Sequence, residues 1–217
     1  DTHFIGVVNL ISIFEKKKIS KFVQIGTGDE YGFDKAPQKE DSKHLPFSTY
    51  GYAKYYSTEY LKMKYKTKNF PSIILRLFLV YGPQQDNNKI VSHAIINCLL
   101  NKKFNLSKGN QKRDYCYIED VTRAVLSALK SKTKGEIINI GSGKPLTVKS
   151  LVKYIQKLVG RGKPIFGGIN YRKYENMKVY PNIKKAIRKL NWRPKISLEK
   201  GIKLTINYYK EVLKLYE

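Results

Sequence analysis

Residues 21–32 read KFVQIGTGDEYG. Phe22, Val23 and Ile25 form a short aromatic and β-branched run, the pattern of a buried strand, and Gly26 stops it. Thr27 is then delivered at the strand's carboxyl end, the edge at which open α/β sheets bind their ligands. A strand that ends in a glycine and a hydroxyl raises the question of what lies beside it.

Working outward, strand-like runs alternate with helical patterns. Upstream, NLISIFEKKKISKFVQIG begins inside a helix that leads into the Thr27 strand. Downstream, residues 49–67 read as a helix and SIILRLFLV (72–80) as a second buried strand. Residues 89–102 are helical, with Ile90, Ala94, Ile95 and Cys98 on one side. RDYCYI (113–118) is extended and enters the helix EDVTRAVLSALK, acidic in its first turn and basic in its last, as the helix dipole favours. EIINIG (136–141) is a third strand. In TVKSLVKYIQKLVG, Thr147 is placed as an N-cap and Gly160 as the stop. The glycine-rich stretch 160–170 reads as a loop, and helices at about 182–190 and 198–214 finish the chain. Strand and helix alternating at this spacing predict a parallel sheet with right-handed crossovers, covered on both faces. Three strands are few for that architecture.

Composition narrows the class. In 217 residues, 41% are hydrophobic and 12% aromatic, which suits a folded domain. The longest apolar stretch, PSIILRLFLVYG, is interrupted by Arg76 and is shorter than the ~18 residues of a membrane helix. Cys98 and Cys116 are the only cysteines and have no metal-binding spacing, so no metal and a reducing, cytoplasmic setting are expected. No membrane partner and no signal peptide are expected either. The formal charge of +25 is spread as lysines over nearly every segment, with no basic block interleaved with stacking aromatics. Nucleic acid is therefore not the expected partner. RNA binding stays as the rival reading from another class, and an inactive remnant as a third.

The segment PFSTYGYAK (46–54) carries the chemistry. Tyr50 and Lys54 are four residues apart, about one helical turn, and so project to one side. A free tyrosine titrates near ~10, and a nearby ammonium lowers that value. A hydroxyl (Thr27), a phenol and an ammonium gathered on one oxygen can polarise it and exchange a proton with it. YxxxK by itself is common by chance in a chain with 17 tyrosines; Tyr56 and Tyr60 on the same helix read as packing residues.

The ordered set GTGDEYG, PFSTYGYAK, LRLFLVYGP, QKRDYCYIEDV, IINIGSGKPLTV and LNWRPKISLEKGI resembles the extended short-chain dehydrogenase/reductase family, the NAD-dependent epimerase/dehydratase group that modifies nucleotide sugars. The likeness runs through nearly the whole chain, in order. It implies an α/β fold, the C-terminal part of a Rossmann-like doubly wound parallel sheet with a small mixed C-terminal substrate-binding region. The implied division sets residues 1–100, with 119–141 returning to the sheet, as a partial NAD(P)-binding domain, and 101–118 with 142–217 as the substrate region. It further implies Thr27 in the catalytic Ser/Thr role and Tyr50 as acid/base. Lys54 becomes the partner that also holds the cofactor ribose, with Tyr50 and Lys54 both touching NAD or NADP. Arg113 and Arg172 match the arginines that meet the diphosphate of a nucleoside-diphosphate sugar. Many members dimerise through the helices around YxxxK, so a homodimer there is implied as well.

Two departures bear on the reaction. The family opens with a glycine-rich turn at a helix N-terminus that binds the pyrophosphate, and no GxxGxxG occurs in this chain. The reading expects an incomplete portion of a longer enzyme. GSGKP (141–145) is no substitute: a Walker A loop needs a glycine where Ile138 stands and Ser/Thr where Pro145 stands, so it reads as a strand-end loop. Second, dehydratases of the family carry acids just after the catalytic Ser/Thr. Here Gly28 and Asp29 hold those places, and Leu79 stands where many members place asparagine. Asp29 is kept among the candidate catalytic residues. Epimerase or 4-ketoreductase is the expected activity, and 4,6-dehydratase the alternative.

Overall fold

The computed structural model describes residues 2–43 and 45–214. In chain order the elements are α1 (Ile5–Phe14), β1 (Phe22–Thr27), a 3-10 helix (Gly28–Tyr31), α2 (Thr49–Lys68), β2 (Ser72–Leu77), β3 (Leu79–Tyr81), α3 (Ile90–Leu99), β4 (Lys103–Leu106), β5 (Lys112–Arg113) and β6 (Tyr115–Tyr117). There follow α4 (Ile118–Lys130), β7 (Glu136–Ile140), β8 (Leu146–Thr147), α5 (Val148–Val159), β9 (Lys163–Phe166), β10 (Lys178–Val179), α6 (Lys184–Leu190) and α7 (Leu198–Lys214).

The sheet that positions Thr27 has the order β1-β2-β7, all parallel. Its register aligns Gly26 with Arg76 and Arg76 with Asn139. Side chains alternate across a strand, and β2 shows why a doubly wound arrangement results. Ile73 and Leu75, with Ile138 and Ile140 of β7, pack against Val121, Ala124 and Ala128 of α4 and against Ala186, Leu190 and Trp192 around α6. Ile74 and Ile137 face the other way, onto Val7 and Ile11 of α1, Leu61 of α2 and Phe70. Both faces of the middle strand are thus buried, as a parallel sheet requires.

A second core is built from elements outside this sheet. It joins Val91, Ala94, Ile95 and Cys98 of α3 to Leu151, Val152 and Ile155 of α5 and to Ile202, Ile206 and Tyr209 of α7. By packing, α3 groups with the later elements. Short strand pairs frame this core: β3 with β6, β4 with β9, and the trio β10-β5-β8. Thr147 caps α5 by accepting the Ser150 N–H at 3.0 Å, and Gly160 ends it at φ +81°.

Two expected elements differ. The run 72–80 is not one strand: the Phe78 N–H still donates to Ile140 O at 3.2 Å, but from Leu79 the chain leaves β7 and pairs with β6, Leu79 opposite Tyr115. The stretch 160–170 is not all loop, because β9 adds to β4 with Lys163 opposite Lys103. Its partner lies 60 residues upstream, so local composition carries no trace of the pairing. Among the described residues no helix is long and apolar enough to cross a membrane.

Candidate active site

At the end of β1, Thr27 keeps an extended backbone and becomes the N-cap of the 3-10 helix. Its hydroxyl accepts the Asp29 N–H at 3.2 Å, and Glu30 reaches back to accept the Thr27 N–H at 2.9 Å. This reciprocal capping box satisfies two donors that the helix start would otherwise leave open. It also fixes the Thr27 side chain at the sheet's carboxyl rim.

The helix α2 brings the second group. Ser48 caps it by accepting the Gly51 N–H at 3.0 Å, so Tyr50 falls in its first turn and Lys54 one turn later. The Tyr50 phenol lies beside the Thr27 side chain, which acts to lower its pKa. Its ring meets the His3 imidazole edge-on, with centroids 5.1 Å apart. Lys54 Nζ donates to Ile25 O, the carbonyl two residues before Thr27, at 3.0 Å, and stands 6.0 Å from the centre of the Tyr50 ring. Thr27, Tyr50 and Lys54 therefore share one neighbourhood.

Their titration differs from the simple expectation. Partial burial pushes the Tyr50 phenol up; the Thr27 side chain opposes this, and the charges of Asp29 and Glu30 add to it. The net direction is upward, not the downward shift expected of a neighbouring ammonium. Lys54 is directed at a strand carbonyl, while two carboxylates act on the phenol in the opposite sense. Burial lowers Lys54 itself, with the Glu30 charge opposing.

A basic cluster adjoins this centre. Burial raises the Asp29 carboxyl, while the charges of Arg113 and Lys89 pull it down. Arg113, on β5, is ion-paired with Glu175 and donates from Nη1 to Lys112 O at 2.9 Å. Arg172 lies on the turn that carries Glu175, its carbonyl accepting the Glu175 N–H at 3.1 Å, but its side chain is exposed. The structure thus brings Arg113 to Asp29 and leaves the Arg172 guanidinium in solvent. Beside Arg113, the buried Tyr115 hydroxyl has no hydrogen-bond partner among the described residues.

The GSGKP loop has its own occupant. The Ser142 N–H and hydroxyl donate to the buried Asp114 carboxylate at 2.6 and 3.0 Å, the Lys144 N–H donates to Ser142 Oγ at 3.1 Å, and the Gly143 and Lys144 N–H groups act to lower the Asp114 pKa. This concave row of N–H groups is an anion nest filled by the chain's own carboxylate, as a strand-end loop rather than a nucleotide loop.

Residue-by-residue reading of the sequence passed over Glu30, Arg76, Thr58 and Glu175. Glu30 had a legible signal: Thr27 followed three residues later by glutamate is a capping-box spacing. Arg76 and Thr58 join it only through the fold, at separations of 46 and 28 residues.

Comparison with known proteins matches residues 1–141 to the NAD dependent epimerase/dehydratase family. The chain is 36% identical over 217 residues to a putative UDP-glucose 4-epimerase of Methanocaldococcus jannaschii, covering 97% of this chain and 70% of that protein. It is 31% identical to the dTDP-D-glucose 4,6-dehydratase of Homo sapiens, covering 95% of this chain and 61% of that enzyme. The crystal structure of a Thermotoga maritima UDP-glucose 4-epimerase with UDP-glucose superposes with a TM-score of 0.92 at 33% identity, over 98% of this chain and 70% of that one. The chain therefore spans between three fifths and seven tenths of these proteins' lengths.

Proposed function

The chain belongs to the NAD dependent epimerase/dehydratase family, and from this we propose that it carries the proton-transfer centre and diphosphate-binding side of an enzyme that epimerises or reduces a nucleoside-diphosphate sugar. The convergence of Thr27, Tyr50 and Lys54 at the end of β1 carries the reading. Thr27 and Tyr50 hydrogen-bond the sugar oxygen whose carbon is oxidised or reduced, and Tyr50 passes the proton at that oxygen. A phenol held above its ordinary pKa is protonated at neutral pH, so in the reductive direction it is ready to donate. Arg113 takes a diphosphate oxygen in place of Glu175, and Arg172, exposed on the same turn, supplies a second cation.

The residues present fit the nicotinamide-ribose end of NAD or NADP. Lys54 has three donors, of which Ile25 O engages one, and the Tyr50 phenol beside it is partly exposed. Lys54 and Tyr50 would hold the ribose hydroxyls; the nicotinamide, when bound, supplies or accepts the hydride.

The test is Tyr50→Phe in the full-length protein. We expect hydride transfer, followed by nicotinamide absorbance, to fall by about 10²–10⁴-fold, with nucleotide-sugar binding retained. Wild-type turnover in that variant refutes the assignment. A dehydratase reading has one observation on its side, the Asp29 carboxyl raised by burial two residues after Thr27. Mass spectrometry of the product separates the two, because only dehydration removes a water.

A further inference from the structure

Beneath Thr27 and Tyr50 lies a carboxylate to which the mechanism assigns no role. The Glu30 side chain is fully buried, and that of Arg76 is 4% exposed. Glu30 Oε1 accepts the Thr27 N–H at 2.9 Å. Its Oε2 accepts Arg76 Nε and Nη2, each at 2.8 Å, and the Thr58 hydroxyl at 2.7 Å. Thr58 is one helical turn beyond Lys54, on the same helix as Tyr50. One carboxylate therefore ties the residue that presents the hydroxyl, the helix that presents phenol and ammonium, and the middle strand. Arg76 is braced in turn: its guanidinium lies 4.5 Å from the centre of the Tyr31 ring, and the Tyr31 hydroxyl donates to Asn139 Oδ1 on β7 at 2.7 Å.

We propose that Glu30 is a positioning residue, whose arginine-locked carboxylate sets Thr27 and the Tyr50 helix in register around the reacting oxygen. The inference rests on the reading that Tyr50 passes the proton. Stability alone is a poor reason for such a group, because a buried ion pair is often no more stabilising than well-packed apolar residues of the same volume. The backbone is also shaped around it. A Cβ on Gly26 would come within 2.5 Å of Glu30 Oε1, so the strand carries a glycine where the carboxylate folds back over its end. The charge reaches the reacting groups as well: after burial, the carboxylates of Asp29 and Glu30 raise Tyr50, and the Glu30 charge raises Lys54.

Two variants of the full-length protein test this, each checked for folding by circular dichroism and Trp192 emission. Glu30→Gln combined with Arg76→Met removes both buried charges and leaves neither unpaired. Thr58→Val cuts only the link to α2. With UDP-glucose as probe, Thr58→Val should lower kcat by about 10–100-fold while KM stays within about twofold, the signature of misplaced groups rather than lost binding. In the double variant the Tyr50 phenol, followed by NMR of ¹³C-labelled tyrosine and identified by its loss in Tyr50→Phe, should titrate at lower pH. The other groups facing it, Asp29, His3 and Lys54, are unchanged there. Wild-type kcat in folded Thr58→Val, or an unmoved Tyr50 titration in the folded double variant, overturns the proposal. Should the double variant not fold, Thr58→Val decides alone. Turnover surviving in Tyr50→Phe sinks the proton-transfer reading instead, and the Tyr50 titration still decides on Glu30.

Discussion

Replacing Asp120 by alanine should loosen the join between the first turn of α4 and the segment NWRPKIS, and the cost can be worked from the bonds. The Asp120 carboxylate is buried and accepts the Lys195 N–H at 3.0 and 3.1 Å and the Ile196 N–H at 3.0 Å. Alanine leaves these two N–H groups without their acceptor, at about 1–3 kcal/mol each. A carboxylate lost from the first turn of a helix adds roughly 0.3–1 kcal/mol. Arg123, its ion-pair partner, is a third exposed and returns to solvent, contributing only about 0–1 kcal/mol. Allowing some water to reach the freed groups, the total is about 3–5 kcal/mol, within the roughly 5–15 kcal/mol of a typical domain, so the variant still folds. With a urea slope of about 2 kcal/mol per molar, the midpoint should fall by roughly 1.5–2.5 M. The assay is built in: Trp192 is the single tryptophan, is buried, and donates from its indole to the backbone carbonyl of Asp120 at 3.0 Å. Asp120→Asn keeps one acceptor and should lose about half as much. A midpoint for Asp120→Ala within about 0.3 M of wild type would refute the reasoning.

Two further outcomes follow from local geometry. Thr147→Ala removes the cap on α5 and should cost about 1 kcal/mol, seen as a fall of roughly 2–4 °C in Tm by calorimetry, whereas Thr147→Ser keeps the bond to Ser150 N–H and the wild-type value. Burial pushes the Glu136 carboxyl up, but its bonds and charge pairing with Lys185 and Lys189 outweigh this, so its folded value lies below the ordinary 4.5. That stabilisation is present above the ordinary value and is lost as pH falls through the lowered one. Urea midpoints should therefore drop less between neutral and acid pH in Glu136→Gln than in wild type, and equal drops would contradict the pairing.

Much of the fold was legible because its signals are local. β1, α2, β7, α5 and α7 stand where period and punctuation put them, and Thr147 and Gly160 bound α5 as cap and stop. What escaped was set by partners far away. Nothing within SIILRLFLV announces that Leu79 will leave β7 for Tyr115 of β6. Nothing in the glycine-rich stretch after α5 announces that Lys163–Phe166 will lie along Lys103–Leu106. The first lies at the boundary between the two cores and the second packs on the later core, and in both long-range pairing outweighs composition.

The site divides along the same line. The spacing of Tyr50 and Lys54 follows from helical period alone and placed them on one face; the strand-ending glycine put Thr27 at the ligand-binding rim, and the family resemblance joined the three. Their electrostatics did not follow from the pair. In a chain with 42 basic residues and 17 acidic ones, spread lysines give no hint of where carboxylates will gather. Three carboxylates stand where the chemistry is proposed: Asp29 against Arg113 and Lys89, Glu30 against Arg76, Glu175 against Arg113. Each carboxylate answers a cation brought from a different element, which only the folded register of β1, β2 and β5 could assemble. The phenol is raised first by partial burial and then by the charges of Asp29 and Glu30, and a window of four residues contains neither cause.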